Sequence, residues 1–182
     1  MNQGKTNRLV MTALFAALTF VATQSIRIPL PGAFVHTGNV MVLLSVLLLG
    51  YKKGALAGGL GLAFFDLMNG FAMEAPYFLV ESFIVGGAGW LMFHYVFKEK
   101  VKNPSDLWKI VITAVVTGIT KILMTQLKNT IILLYGGANF EKAFNGALAL
   151  LPATLINVAV TIILVTILFL PLEKALAPMK LR

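Results

Sequence analysis

The sequence predicts an all-α integral membrane protein, in which residues 1–182 form a single bundle of six transmembrane helices. Hydrophobic residues make up 58% of the chain and charged residues only 12%, whereas soluble domains have about 45–50% and about 25%. The mean hydropathy is +0.86. This composition excludes a disordered chain and an ordinary cytosolic enzyme. Because the sequence has no cysteine, it also excludes a disulfide scaffold, a thiolate metal site and a cysteine nucleophile.

Six apolar stretches account for the predicted helices. A bilayer core about 30 Å thick requires about 20 apolar residues in each spanning helix. The stretches lie at residues 9–26, 40–49, 54–68, 76–97, 110–135 and 148–172. The second and third are short, so we expect them to cross the bilayer only if their flanking residues are also buried in protein.

The positions of lysine and arginine predict that both termini are cytoplasmic. With the N-terminus inside, the outer loops hold only Arg27 and Lys142, while Lys121 and Lys128 lie within the fifth span. Positive charge concentrates on the cytoplasmic side of membrane proteins. The inner segments hold eleven basic residues: Lys5, Arg8, Lys52, Lys53, Lys98, Lys100, Lys102, Lys109, Lys174, Lys180 and Arg182.

The start of the chain has some features of a signal peptide. Lys5 and Arg8 precede an apolar run, and residues 22–25 form a weak cleavage site. The run is longer than the 7–15 residues of a signal core. We therefore expect it to be retained as the first helix.

Polar residues within the spans concentrate in the outer half of the predicted bundle. Ionisable side chains are costly in a membrane and therefore mark functional sites. An ion path would need such groups through the full depth, whereas an outward-facing pocket above an apolar floor needs them only in the outer half. The pattern favours the pocket, with these candidates: Arg27, His36, Asn39, Asp66, Asn69, Glu74, Glu81, Lys121, Lys128 and Asn157.

Each candidate also has a purely structural interpretation. Glu81 and Lys121 could form an ion pair that fixes helix register, and Lys128 could extend its amine to the membrane surface. Asn157 could hydrogen-bond a neighbouring helix, and Asp66 could cap or pair locally. Since His36 has no second histidine within reach, a metal site is not expected.

The first outer loop, residues 27–38, is apolar and contains two prolines. Prolines limit the entropy that a loop loses when it becomes ordered. A lid folded over a pocket would explain this composition, and a re-entrant connector is the alternative. Phe34 in this loop and Tyr77 at the start of the fourth span are aromatic side chains that could stack on a ligand.

Small residues mark helix contacts, and catalytic motifs are absent from the sequence. Ala13 and Ala17 form a small-xxx-small face on the first helix, a pattern that allows close helix approach. The sequence has no phosphate-binding Gly-x-x-x-x-Gly-Lys-Ser/Thr loop, no His-Glu-x-x-His and no Gly-x-Ser-x-Gly. We therefore expect neither an enzyme nor a bound cofactor.

Several segments resemble the substrate-binding S component of energy-coupling factor (ECF) vitamin transporters. The resemblance spans all six helices and is strongest over residues 38–66, where it is closest to the riboflavin and hydroxymethylpyrimidine/pyridoxine branch. The segments that carry it are Thr-Ala-Leu-Phe-Ala-Ala-Leu at 12–18, Phe-Val-His-Thr-Gly-Asn at 34–39, Leu-Leu-Leu-Gly-Tyr-Lys-Lys-Gly-Ala-Leu-Ala-Gly-Gly at 47–59, and Asp-Leu at 66–67.

The resemblance implies a function and a set of partners. An S component in the plasma membrane of a bacterium captures a vitamin with high affinity, docks on a transmembrane T subunit and is powered by two ATPase subunits. It is thought to topple in the membrane. Docking would use Ala13 and Ala17. The pocket would lie between the first loop and the outer halves of the fourth to sixth spans, and its expected residues are Phe34, His36, Asn39, Tyr77, Glu81, Lys121, Lys128 and Asn157.

The expected ligand is a small polar heteroaromatic ring. A carboxylate such as Glu81 suits N–H donors, and lysines suit acceptor oxygens or an anion. Pyridoxine-type vitamin B6 and hydroxymethylpyrimidine rank first together, and riboflavin ranks behind them. The competing hypotheses are a stand-alone secondary transporter, a membrane enzyme and a scaffold without a ligand.

Overall fold

The structure is a computed structural model that describes residues 3–30 and 33–179, and it is almost entirely helical. Pro31, Lys180 and Arg182, on which some of the predictions rest, lie outside the described residues. The helices are α1 (Gln3–Ser25), α2 (Gly38–Leu49), α3 (Tyr51–Met68), α4 (Ala75–Leu91), α5 (Leu107–Tyr135), α6 (Phe140–Ala149) and α7 (Leu151–Leu176). A π-helical turn, Met92–Val96, continues α4, and 3₁₀ turns occupy Pro104–Asp106 and Ala177–Met179.

The spans predicted from hydropathy agree with six of these helices to within six residues at each end. In the described part of the chain, four regions are long and apolar enough to cross a bilayer: Thr6–Ser25, Ala75–Val96, Pro104–Tyr135 and Leu151–Met179. Helix α2 has 12 residues and is therefore about 18 Å long. Nearly all of its side chains are buried in the bundle.

The sequence-based assignment was wrong at the start of the last span. It began the sixth helix at Leu148, whereas the structure ends a separate short helix, α6, at Ala149 and begins α7 at Leu151. Pro152 lies in the first turn of α7, where its missing N–H costs no hydrogen bond. Asn139 caps α6 by accepting a hydrogen bond from the Lys142 amide at 2.9 Å.

The first loop folds into a β-hairpin that hydropathy did not predict. Strand β1 (Arg27–Leu30) pairs antiparallel with β2 (Ala33–His36), so that Arg27 lies opposite His36 and Leu30 opposite Ala33. Pairing of the two strands satisfies part of their backbone hydrogen-bonding groups, which helps an apolar loop to pack on the bundle.

Helix α3 packs against α1, α2 and α4. Its glycines permit these contacts, because an added Cβ would meet a different neighbour at each position. At Gly54 it would meet the backbone of Ser45 and Val46, and at Gly61 it would meet α1 at Thr19. The small residues in α3 therefore serve internal packing.

The apolar core fills the end of the bundle where α2 ends and α3 begins. Its largest fully buried side chains include Phe93, Phe169, Leu43, Leu47 and Ile110. The rings of Phe93 and Phe169 meet edge to face with centroids 5.5 Å apart. This end forms the packed floor below the polar end described next.

Candidate functional site

A cavity of about 170 Å³ lies at the polar end of the bundle, beside the β-hairpin. All eight residues expected from the sequence to bind substrate line it: Phe34, His36, Asn39, Tyr77, Glu81, Lys121, Lys128 and Asn157. Their contact with a ligand remains a prediction, but the fold brings them to one place from the hairpin and from α2, α4, α5 and α7.

Two ion pairs connect α4 and α5 along the cavity. Lys121 donates to Glu81, and Lys128 donates to Glu74 at the beginning of α4. The two glutamates are seven residues apart in sequence, and so are the two lysines. Two matched ion pairs therefore join these antiparallel segments, the buried rung Lys121–Glu81 and the outer rung Lys128–Glu74. The Glu81 side chain is only 3% exposed, whereas that of Glu74 is 38% exposed.

Aromatic rings surround both lysines. The Phe78 ring centroid lies 5.1 Å from Lys121 Nζ and 5.0 Å from Lys128 Nζ, within cation–π range. The Tyr77 hydroxyl donates to Glu81 Oε1 at 2.8 Å. Glu81 is thus held by a lysine on one oxygen and by a tyrosine on the other, which fixes its carboxylate at the cavity wall.

Asn157 attaches the hairpin to α7. Its side-chain amide donates to the Phe34 carbonyl at 2.9 Å, and its carbonyl accepts from the His36 amide at 2.8 Å. One side chain thus hydrogen-bonds both a backbone carbonyl and a backbone amide of β2. The interhelical role considered from the sequence is therefore replaced by a contact between a helix and the hairpin.

His36 is held as a neutral imidazole. The Gly38 amide donates to His36 Nδ1 at 3.1 Å, so Nδ1 acts as an acceptor and the proton lies on Nε2. Burial and the positive charge of Lys121 lower the pKa of His36 to about 4. At neutral pH this side chain can therefore offer an N–H to a ligand but no charge.

Arg27 holds the hairpin on its other side. It donates to Asn69 Oδ1 at 3.0 Å, and its guanidinium lies 4.0 Å from the centroid of the Phe34 ring. The Phe34 ring in turn meets Phe71 edge to face at 5.8 Å. The apolar loop is thus fixed to α3 by one arginine and to α7 by Asn157.

The other residues that line the cavity are not among the eight expected to bind substrate. Asp66 and Glu74 are polar candidates for the outer half of the predicted bundle, and the structure places both at the cavity. The spacing of Glu74 from Glu81 also matches that of Lys121 from Lys128. Residues of α1 and of the beginning of α7 gave no signal, because their positions depend on how α1 packs and where α7 begins. The additional lining residues are Thr23, Leu62, Phe65, Asp66, Phe71, Glu74, Phe78, Thr125, Asn129, Leu150 and Thr154.

The proposed docking residues do not line this cavity. Ala13 and Ala17 are exposed on the outer face of α1, beside the exposed side chains of Leu14 and Leu18. The opposite face of α1 buries Met11 and other side chains in the bundle. The small-residue face is therefore available to another helix.

No group of three or more metal-ligating side chains occurs among the residues that the structure describes. The cavity instead combines ion-paired carboxylates and lysines, an amide, a neutral imidazole and several aromatic rings. Ligand pockets are typically lined by apolar and aromatic side chains together with a few polar groups that orient the ligand.

Comparison with known proteins agrees with this arrangement. The family model described as "ECF-type riboflavin transporter, S component" matches residues 3–174. The "Thiamine precursor transporter HmpT" of Lactococcus lactis subsp. cremoris (strain MG1363) is 32% identical over 97 residues. That match covers 50% of this chain and 55% of the relative, so the chain aligns with about half of that protein. No solved structure matches the chain.

The family match extends over nearly the whole chain and confirms the resemblance seen in the sequence. Its members are multi-pass proteins of the cell membrane that serve in transport, which fits the long apolar helices of this structure. The chain belongs to the family of S components of ECF-type riboflavin transporters.

Proposed function

We propose that this protein is the vitamin-binding subunit of an ECF-type importer and that its ligand is a single-ring heteroaromatic vitamin or vitamin precursor. The observation that carries the proposal is the cavity, in which ion-paired carboxylates and aromatic rings meet beside a fixed hairpin. Pockets for drug-sized ligands have about 300–1,000 Å³. A cavity of about 170 Å³ favours one ring over the three fused rings and long side chain of riboflavin.

The similarity to a thiamine precursor transporter supports the same ligand class. Hydroxymethylpyrimidine and pyridoxine are both small rings with polar substituents, and we retain both. A riboflavin-specific S component is the second candidate, because the matching family model is described by riboflavin.

The topology that we propose has six spans and both termini in the cytoplasm. Helices α2 and α3 would complete the six, since their burial within the bundle removes the need for a full-length lipid-facing surface. The excess of lysine and arginine in the inner segments supports this orientation. It directs the cavity outward, where a scarce vitamin would be captured.

Transport would then require docking on a T subunit powered by two ATPases. The exposed Ala13 and Ala17 face supports a close helix–helix contact of this kind. A stand-alone secondary transporter would need polar groups through the apolar floor. The core cluster of the described residues at that end is hydrophobic.

The first experiment is mass spectrometry of small molecules released by denaturing protein that was purified from cells grown in rich medium. We expect a single-ring vitamin or precursor at about one molecule per chain. Stoichiometric riboflavin would favour the second candidate. Absence of any vitamin, together with no binding of added vitamins, would contradict the proposal.

The second experiment tests docking. Ala13→Trp with Ala17→Trp should abolish vitamin uptake and leave ligand binding unchanged, because the indoles block the helix contact and neither position lines the cavity. The matched control is Ile163→Trp, at an exposed apolar position of α7, which should support normal uptake. Uptake by the double variant, or in cells lacking T and ATPase subunits, would contradict the proposed partners.

A further inference from the structure

Asp66 is a buried carboxyl group that has no hydrogen-bond partner among the residues that the structure describes. It lies near the end of α3, is 5% exposed and lines the cavity. No described residue donates a hydrogen bond to its side chain, and Oδ2 is buried without a hydrogen bond. Buried polar atoms are nearly always paired, so an exception requires an explanation.

Local structure does not explain Asp66. The chain reverses after α3 through backbone hydrogen bonds, in which the Phe71 amide donates to the Asp66 carbonyl oxygen at 2.8 Å and the Asn69 amide donates to the Phe65 carbonyl at 3.0 Å. The carboxyl group takes no part in them. The capping or local pairing considered from the sequence is therefore wrong.

Asp66 differs from the other acids that line the cavity because no described lysine or arginine forms an ion pair with it. Three acids line it, and two of them are matched by lysines: Glu81 by Lys121, and Glu74 by Lys128. His36 is neutral at physiological pH. Asp66 is thus the carboxyl group whose partner must come from outside the described chain.

One arrangement of ring atoms satisfies a carboxyl group in either protonation state. A ring nitrogen beside an exocyclic amino group can pair with both carboxyl oxygens at once. A carboxylate accepts two N–H bonds from the protonated ring, and a neutral acid donates to the ring nitrogen while accepting from the amino group. A pyridoxine ring cannot do this, because its hydroxyl group is not on a carbon adjacent to the ring nitrogen.

We propose that Asp66 is the specificity-determining residue of the cavity and that it selects an aminopyrimidine ring by this two-point pairing. The inference rests on the proposed function and chooses between the two ligands left open there. Phe65 and Phe71, which also line the cavity, provide apolar surfaces beside the paired ring.

The test is a double-mutant cycle between the protein and its ligand. The probes are hydroxymethylpyrimidine, which carries the amino group, and its deaminated analogue, and affinity is measured by calorimetry on the full chain in detergent. On the wild-type protein, we expect deamination to weaken binding about 10- to 100-fold. On Asp66→Leu, both probes should bind with the same, weakened affinity.

Two further variants separate recognition from a structural role. Asp66→Asn keeps a side-by-side donor and acceptor, so it should retain most of the preference for the amino probe. Glu141→Leu removes an exposed acid of α6 that does not line the cavity and should change nothing. Leucine is apolar and of similar size, so the ligand-free Asp66→Leu protein should melt at the same temperature or higher.

The outcomes are distinguishable. Equal binding of both probes by the wild-type protein, or full affinity of Asp66→Leu for the amino probe, would overturn the assignment of Asp66 while the proposed function stands. If Asp66→Leu does not fold, Asp66→Asn decides the question, because loss of the preference for the amino probe in that variant would contradict the two-point pairing. Binding of neither probe by the wild-type protein would reject the proposed ligand class and this inference with it.

Discussion

The two ends of the bundle are stabilised by different physics. At the floor, side chains such as Phe93, Phe169 and Leu47 are buried in the apolar core, and close packing contributes most to holding the helices together there. At the polar end, α4 and α5 are held by charged rungs around a cavity. The floor therefore requires only close packing of apolar side chains, whereas at the polar end charged and polar side chains surround an open cavity.

The largest effect is expected from breaking the buried rung. Lys121→Met leaves Glu81, 2% exposed, without its cation, and removal of one partner from a buried pair costs about 3–5 kcal/mol. We expect a corresponding loss in the free energy of unfolding and loss of ligand binding. Chemical denaturation in detergent and calorimetry measure the two quantities.

The outer rung provides the matched control for this variant. Lys128→Met breaks the same type of pair seven residues away, but Glu74 is 38% exposed on its side chain. Such pairs contribute about 0–1 kcal/mol. Equal destabilisation by Lys121→Met and Lys128→Met would show that burial does not distinguish the two rungs.

A substitution at the floor should separate stability from binding. Phe169→Ala removes a fully buried ring that meets Phe93, and such truncations cost about 3–5 kcal/mol. Affinity for the ligand should stay within a few-fold of wild type under conditions where the variant is folded. A large loss of affinity with little loss of stability would contradict the division between floor and cavity.

A smaller effect is expected at the hairpin. Asn157→Ala leaves the Phe34 carbonyl and the His36 amide without their partner, at a cost of about 1–3 kcal/mol. We expect faster ligand dissociation in stopped-flow measurements, because the hairpin loses its attachment to α7. Thr166→Ala, whose hydroxyl bonds only within its own helix, serves as the control and should leave the dissociation rate unchanged.

The effect that is smallest at neutral pH concerns the titration of His36. The pKa of His36 is lowered from 6.5 to about 4 in the folded protein, so the unfolded chain binds a proton first as the pH falls. The contribution of His36 to stability is therefore full above pH 6.5 and is lost as the pH decreases toward 4. His36→Gln should reduce the acid sensitivity of the melting temperature over this window. An unchanged pH profile would contradict the buried neutral imidazole.

The sequence predicted most of the helices because hydropathy is a local property. Six of the seven helices agree with apolar stretches, and the eight residues chosen for the pocket line one cavity. Their common position follows from a simple cause: charged side chains in a membrane protein gather where water or a ligand can reach them. Glu81 and Lys121 could thus be placed together without a structure.

Other features depended on contacts between distant parts of the chain. The hairpin of β1 and β2 is attached to α7 through Asn157, a residue more than 120 positions away in the chain. A short break separates α6 from α7, and a hydropathy window that averages over many residues does not detect it. The unpaired carboxyl group of Asp66 is a third case. The lack of a hydrogen-bond partner among the described residues can be seen only when the neighbouring side chains are placed in three dimensions.

The sequence by itself thus determined the membrane setting, the helix order and the polar end of the bundle, because these depend on composition and on the cost of burying charge. Only the tertiary structure decided which charges neutralise one another and which carboxyl group is left over. The physical reason is that pairing depends on the distance between atoms on different helices, which the register of packing sets.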